Sequence, residues 1–283
     1  MRTFVSAAAT VLAVLLAAVA VPAIWLDRSI VQEQGFVELA APLGRNSEFQ
    51  QGLAAAAIGT IDTSAVPGFL SDLVRPVLED AAASLTGLPG YPAAWEETLR
   101  KSHRLSFAGT GANSPEAASA SSPTLDVAPL VALGSEEISR ATRLPLDPPE
   151  QTLINVGQPE HKEWTERLRA YAPAGYLLAG GSAVALLLAF VAARRRWTVL
   201  VAAGVGALLL AALWTLGAQA GSAAVLATDS GNEVANMFRN EFVAAASADF
   251  QTWSWAAAIT GGVLVLVGIV AGLIPRKKAR ATR

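Results

Sequence analysis

No cysteine occurs in the 283 residues, which excludes disulfides, thiolate metal ligands and a cysteine nucleophile. Any part of the chain outside a membrane must therefore be held by packing alone, and cysteine usage does not mark a redox compartment. Charge is scarce too: 16% of residues are Asp, Glu, Lys or Arg against 53% hydrophobic, more apolar than a soluble domain needs to be. Four runs, 4–26, 174–193, 197–217 and 253–274, contain no charged side chain at all. Proton and ion carriers place an ionisable group at bilayer depth, so uncharged runs argue against a pump or coupled transporter. There is no phosphate-binding loop, nucleophile elbow or nucleic-acid motif. That removes nucleic acid as a partner.

What is present is a pattern of spans. Arg194, Arg195 and Arg196 separate two apolar runs of about twenty residues. A linker of three residues cannot cross a bilayer, so 174–193 and 197–217 form a helical hairpin with its basic turn on the cytoplasmic side. Phe4–Leu26 is a first run of 23 residues, enough to cross about 30 Å of hydrocarbon at about 1.5 Å per residue. The small residues of Val21-Pro22-Ala23 also suit a signal-peptide cut. We read an anchor, because Ile24-Trp25-Leu26 continues the apolar character and Trp25 suits an interface. A fourth span runs from Trp253 to Ile274, with Pro275 closing it before Arg276, Lys277 and Lys278.

Charge asymmetry agrees with this topology. The N-terminus, the arginine turn and the tail hold nine cations and no acid, whereas 27–173 and 218–253 hold 12 cations and all 23 acids. Both termini are expected in the cytoplasm.

The long outer segment opens as helix at Asp27. Ser47, three residues before Gln50, suggests a capping box opening a helix over 48–58. Val66, Phe69, Leu70, Leu73, Val77 and Leu78 recur at helical spacing, with Pro76 expected to kink that helix. A third helix is expected over 92–105 and carries Trp95, Leu99 and His103. Small and polar residues over 109–123 read as a loop without apolar period. Short β-rich runs at 124–127 and 151–156 read as strands flanking a helix over 129–142, with 106–108 as a third strand. A helix over 159–171 leads into the second span. The shorter outer segment, 218–252, places Val225, Val234, Met237, Phe238 and Phe242 near helical spacing, which suggests one or two helices extending the spans and packing under the larger outer domain. Gly217-x3-Gly221 and Gly268-x3-Gly272 are spacings that permit close helix contact. The expected fold class is a mainly α membrane protein of four transmembrane helices, with an α+β extracytoplasmic domain inserted between the first and second.

Three residues merit weighing as a site. Arg100 and His103 lie about one helical turn apart, and Asp126 can approach them if its strand lies beside that helix. A histidine–carboxylate pair can do acid/base work, but such groups more commonly brace buried polar atoms. His161 lacks the spacing of a zinc helix and has no cysteine to assist. No catalytic residue, metal ligand set or cofactor is assigned; Arg100, His103 and Asp126 stand as binding candidates, and the arginine turn with the basic tail as topology signals. The tail can also attract anionic lipid.

The chain resembles a widespread family of integral membrane proteins of actinobacteria whose activity is not characterised. The resemblance rests on Phe36-Val37-x3-Ala41-Pro42-Leu43 with Phe49-Gln50 after it, on Trp95-x4-Arg100-x2-His103, and on Leu125-Asp126-Val127-Ala128-Pro129-Leu130. It covers about residues 1–200 and departs from the family at Gln32-Glu33, where such proteins usually carry Asp-Thr. It implies an anchored extracytoplasmic domain with further spans behind it, in the cell envelope.

Three functions fit these features. The first is a non-catalytic envelope protein whose outer domain binds a protein, a lipid or a wall component, and this reading is favoured. The second is an extracytoplasmic enzyme, which requires Arg100, His103 and Asp126 to converge. The third is a lipid-handling or transport accessory subunit, which requires an apolar groove between the outer helices and the bilayer.

Overall fold

The computed structural model describes residues 1–51, 84, 86–107, 124–143, 150–155, 167–229, 231 and 233–274. The helix around Pro76, the 109–123 loop, His161 and the basic tail with Arg276, Lys277 and Lys278 lie outside the described residues. The described chain is mainly helical. Four helical stretches are long and apolar enough to cross a membrane: Arg2–Val31, Arg167–Ala192, Arg196–Leu226 and Ala235–Leu273.

In order, the elements are α1 (Arg2–Leu26), a π-helical turn (Asp27–Val31), α2 (Glu33–Ala40), a 3₁₀ turn (Ala41–Arg45), α3 (Tyr91–Phe107), β1 (Thr124–Asp126), α4 (Ala128–Thr142), β2 (Leu153–Asn155), α5 (Ala174–Ala192), α6 (Arg196–Leu226) and α7 (Glu233–Leu273). They form two compact units. One comprises Met1–Trp25, Tyr171–Gly221 and Ser247–Arg283; the other comprises Leu26–Ala170 and Ser222–Ala246.

The first unit is a bundle of α1, α5, α6 and the C-terminal part of α7. Hydrocarbon offers no hydrophobic incentive for helices to associate, so small residues and interhelical hydrogen bonds must hold them. Ser6 Oγ donates to the Ala189 carbonyl at 2.9 Å and Ser182 Oγ to the Ala13 carbonyl at 2.8 Å. Gly175 faces Ala20 and Ala23. These pairings run in opposite directions along the chain, so α1 and α5 are antiparallel. On the other side of α1, Trp214 Nε1 donates to the Ala18 carbonyl at 3.0 Å, and Gly206 lies under Val14. α6 and α7 cross at two glycines: a Cβ on Gly204 would come within 2.6 Å of the Gly261 carbonyl, and one on Gly261 within 2.8 Å of that of Gly204. Gly268 and Gly272 continue this seam against Val201 and Trp197, as their spacing predicts, whereas Gly217 and Gly221 meet no neighbour among the described residues. Near the ends of α1 and the bundle part of α7, Trp25 Nε1 donates to Asp249 Oδ2 at 2.7 Å and its ring lies 4.9 Å from that of Phe250.

The second unit is built on α3. Its buried side chains, Tyr91, Trp95, Thr98, Leu99, Ser102 and His103, recur at three- and four-residue steps and form one stripe, which is what an amphipathic helix presents to a core. Val37, Ala40, Leu43, Phe49 and Leu130 complete the cluster, with Phe36, Met237, Phe238 and Phe242 packed against it. The 233–246 part of α7 is thus core to this unit. Trp95 and Leu99 are fully buried; for the leucine alone this is worth about 2 kcal/mol.

Two expectations need correction. The helix after the 3₁₀ turn is capped by Asn46, not Ser47: Asn46 Oδ1 accepts from the Glu48 and Phe49 amides at 3.1 and 3.2 Å, because Asn46 has the extended backbone of a cap residue and asparagine caps as well as serine. Gln50 is not the return half of a capping box, since its Nε2 donates to the Leu43 carbonyl at 2.7 Å. The third strand at 106–108 is also absent over its described residues: Ser106 and Phe107 are the last turn of α3, the Phe107 ring stacking 4.4 Å from that of His103 one turn earlier. The sheet is a two-stranded antiparallel pair, Thr124 opposite Asn155 and Asp126 opposite Leu153. Among the described residues no further strand joins it, and it leans on α3.

Candidate functional site

The three candidate residues all sit on or beside α3, and each has its own partners. Arg100 lies on the outer face, where its guanidinium pairs with Glu96 at 3.0 Å and Glu97 at 3.2 Å; Arg104 reaches Glu97 at 3.3 Å. All four side chains are more than a third exposed, so these pairs support the helix by only a few tenths of a kcal/mol each, on the order of other exposed i,i+4 pairs.

His103, one turn further along, is buried in the core. Its Nε2 lies 3.1 Å from the Ile30 carbonyl, one of the acceptors of the π-helical turn that follows α1. The carbonyl can only accept, so Nε2 carries the hydrogen and Nδ1 is left as the acceptor nitrogen when the ring is neutral. Phe107 stacks on one side of the ring and Phe36 lies 5.1 Å away at a tilt. Burial among these rings pushes the imidazole pKa below its ordinary value, against the opposing pull of the Ile30 carbonyl and the Glu33 carboxylate. The ring is therefore held neutral near pH 7 and serves as a brace.

Asp126 closes β1. Its Oδ1 accepts from the Ala128 amide at 3.0 Å and the Thr152 amide at 3.1 Å, so one oxygen both opens α4 and ties β1 to the approach of β2. Its own amide donates to Ser102 Oγ at 2.9 Å, and that hydroxyl donates to the Thr98 carbonyl at 2.6 Å. Asp126 thus docks on α3 through Ser102. The expected approach of strand to helix occurs, but no hydrogen bond or ion pair joins Asp126, His103 and Arg100 to one another. The convergence that an acid/base reading requires is not there.

The residues that do converge are aromatic. Phe49, Trp95, Phe238, Phe242, Phe36, His103 and Phe107 form a continuous chain of rings, with successive centroids 4.4–6.5 Å apart. Trp95 Nε1 donates to the Ala40 carbonyl at 3.1 Å, at the junction of α2 and the 3₁₀ turn. Two glycines make room for this: a Cβ on Gly44 would overlap the Trp95 indole, and one on Gly35 would overlap the Arg28 carbonyl. Sequence reasoning missed Ser102, Gly35 and Gly44. Gly35 had a signal, since it falls inside a segment read as helix, where glycine is unfavourable unless something comes close; Gly44, just after Pro42-Leu43, reads equally well as a turn residue. Among the described residues no three His, Asp or Glu side chains stand close enough to share a metal ion.

The chain matches no protein-family model, no curated protein and no solved structure.

Proposed function

We propose that the protein is a non-catalytic, multi-pass protein of the cell membrane. In this reading both termini and the arginine turn, Arg194, Arg195 and Arg196, face the cytoplasm, and residues 27–172 with 218–252 form an extracytoplasmic domain of α+β type that binds an envelope protein, a lipid or a wall component. The same reading places it in the actinobacterial membrane-protein family that the motifs at Phe36, Trp95 and Leu125 resemble. The observation that carries the non-catalytic part is the use made of the polar groups: His103 and Asp126 are buried against backbone atoms, and Arg100 is paired with its own helix's glutamates. The motif residues thereby become fold determinants, and a partner is left as the role of the domain.

The test is purification of the full chain from its native membrane in mild detergent, followed by mass spectrometry of what accompanies it. The reading predicts an envelope protein, lipid or wall component retained at fixed stoichiometry. A chain that elutes alone and turns over an envelope-derived substrate contradicts it.

A further inference from the structure

We propose that the bundle of spanning helices holds one anionic glycerophospholipid, with its phosphate at Arg194 and Arg195 and one acyl chain lying in the groove between α1 and α6. This stands apart from the reading of the extracytoplasmic domain.

The groove encloses about 550 Å³. Its lining is mostly apolar, with Val11 and Leu15 of α1 and Val205 and Leu209 of α6, and the small side chains of Ala7 and Ala202 leave it open. A smaller hollow of about 210 Å³ adjoins it, lined by Ala193, Arg194 and Arg195 of the turn together with Thr3, Ser6 and Thr198. Those last three residues line both spaces, so a cationic mouth opens directly into an apolar channel. Arg194 and Arg195 are exposed and form no ion pair among the described residues, which leaves both guanidinium forks available for a phosphate diester.

Depth identifies the occupant. From Thr3 to Leu15 the groove follows α1 for about 18 Å at about 1.5 Å per residue, close to one leaflet of a hydrocarbon core about 30 Å thick. It ends there because the next contact between the two helices is filled: Trp214 is buried and its indole nitrogen is bonded to the Ala18 carbonyl. A partner helix would need a seam running through both leaflets. An acyl chain needs only one, with charge at the interfacial end and none beyond, and that is the distribution this groove has.

Native mass spectrometry of the full chain in mild detergent tests the proposal, with phosphatidylglycerol and phosphatidylcholine of equal chain length as probes. The expected result is a one-to-one phosphatidylglycerol adduct that persists where the phosphatidylcholine adduct is lost. Changing both Arg194→Gln and Arg195→Gln should weaken phosphatidylglycerol binding about thirtyfold, at about fivefold per cation removed near a lipid surface. Ala202→Phe, which fills the groove and leaves the arginines in place, should abolish the adduct with the helical circular dichroism unchanged; Ala7→Phe on the facing helix does the same if Ala202→Phe does not accumulate. Equal retention of both lipids, or groove-filling variants that bind as the parent does, would overturn the site. So would a detergent-stable dimer that Ala202→Phe dissociates, since the groove would then be an interface between copies.

Discussion

At the residue scale, His103 is the group whose environment gives the most direct observable. Its pKa is lowered in the folded protein by burial, so the folded state binds the proton less readily than the unfolded chain does. The stabilisation from the neutral ring is complete above the ordinary histidine value of about 6.5 and is lost as pH falls from there through the lowered folded-state value. The melting temperature of the full chain in detergent should therefore drop between pH 7.5 and pH 5, and the drop should shrink in His103→Gln, which keeps a donor for the Ile30 carbonyl. An unchanged pH profile in that variant would mean that other groups carry the titration. Gly44→Ala is a second case. Its Cβ would overlap the Trp95 indole, and overpacking of this kind costs about 1–3 kcal/mol, so the variant should melt several degrees lower while the neighbouring Arg45→Ala, on a side chain that is exposed, should not.

Among the elements, α3 decides the arrangement. Its sequence announces both its helicity and its buried stripe, because Trp95, Leu99 and His103 fall at helical spacing. The spans are equally legible, since an uncharged apolar run of about twenty residues is the length a helix needs to cross a bilayer, and so are β1 and β2 to within a residue or two. What is not legible depends on alternatives of equal local merit. Asn46 and Ser47 are both good caps, and only the backbone angle at Asn46 chooses between them. Ser106-Phe107 suits a strand or a last helical turn, and the stacking of Phe107 on His103 decides it. The candidate trio fails for a similar reason: Arg100 and His103 are neighbours on α3, but Arg100 sits at the edge of the buried stripe, where Glu96 and Glu97 hold its guanidinium, whereas the His103 ring is buried against the Ile30 carbonyl. Asp126 separates the role of an acceptor oxygen from that of a charge. Both of its accepted hydrogen bonds go to Oδ1, an atom that asparagine also has. Asp126→Asn should thus unfold within about 1 kcal/mol of the parent, whereas Asp126→Ala, which leaves two amides without their acceptor, should lose about 2–3 kcal/mol. Denaturant or thermal unfolding of the purified chain reads the difference. If the negative charge rather than the acceptor oxygen held the fold, the asparagine variant would be as unstable as the alanine one.

For the whole molecule, composition carries the main inference and cysteine supplies the means to check it. Four helices are apolar and long enough to cross a membrane, and in the orientation proposed above, which puts the acid-free basic segments in the cytoplasm, Glu136 lies outside and the tail inside. Because the chain has no cysteine of its own, single cysteines report position without background. Glu136 is suited to this, with a side chain 69% exposed on α4, and Ala281 marks the tail. The decisive measurement is labelling of Glu136→Cys and Ala281→Cys in intact cells with a membrane-impermeant maleimide, repeated after the membrane is opened. With the outer domain outside and the tail in the cytoplasm, Glu136→Cys is expected to label in intact cells and Ala281→Cys only after permeabilisation. The opposite pattern, or labelling of both in intact cells, would contradict that orientation.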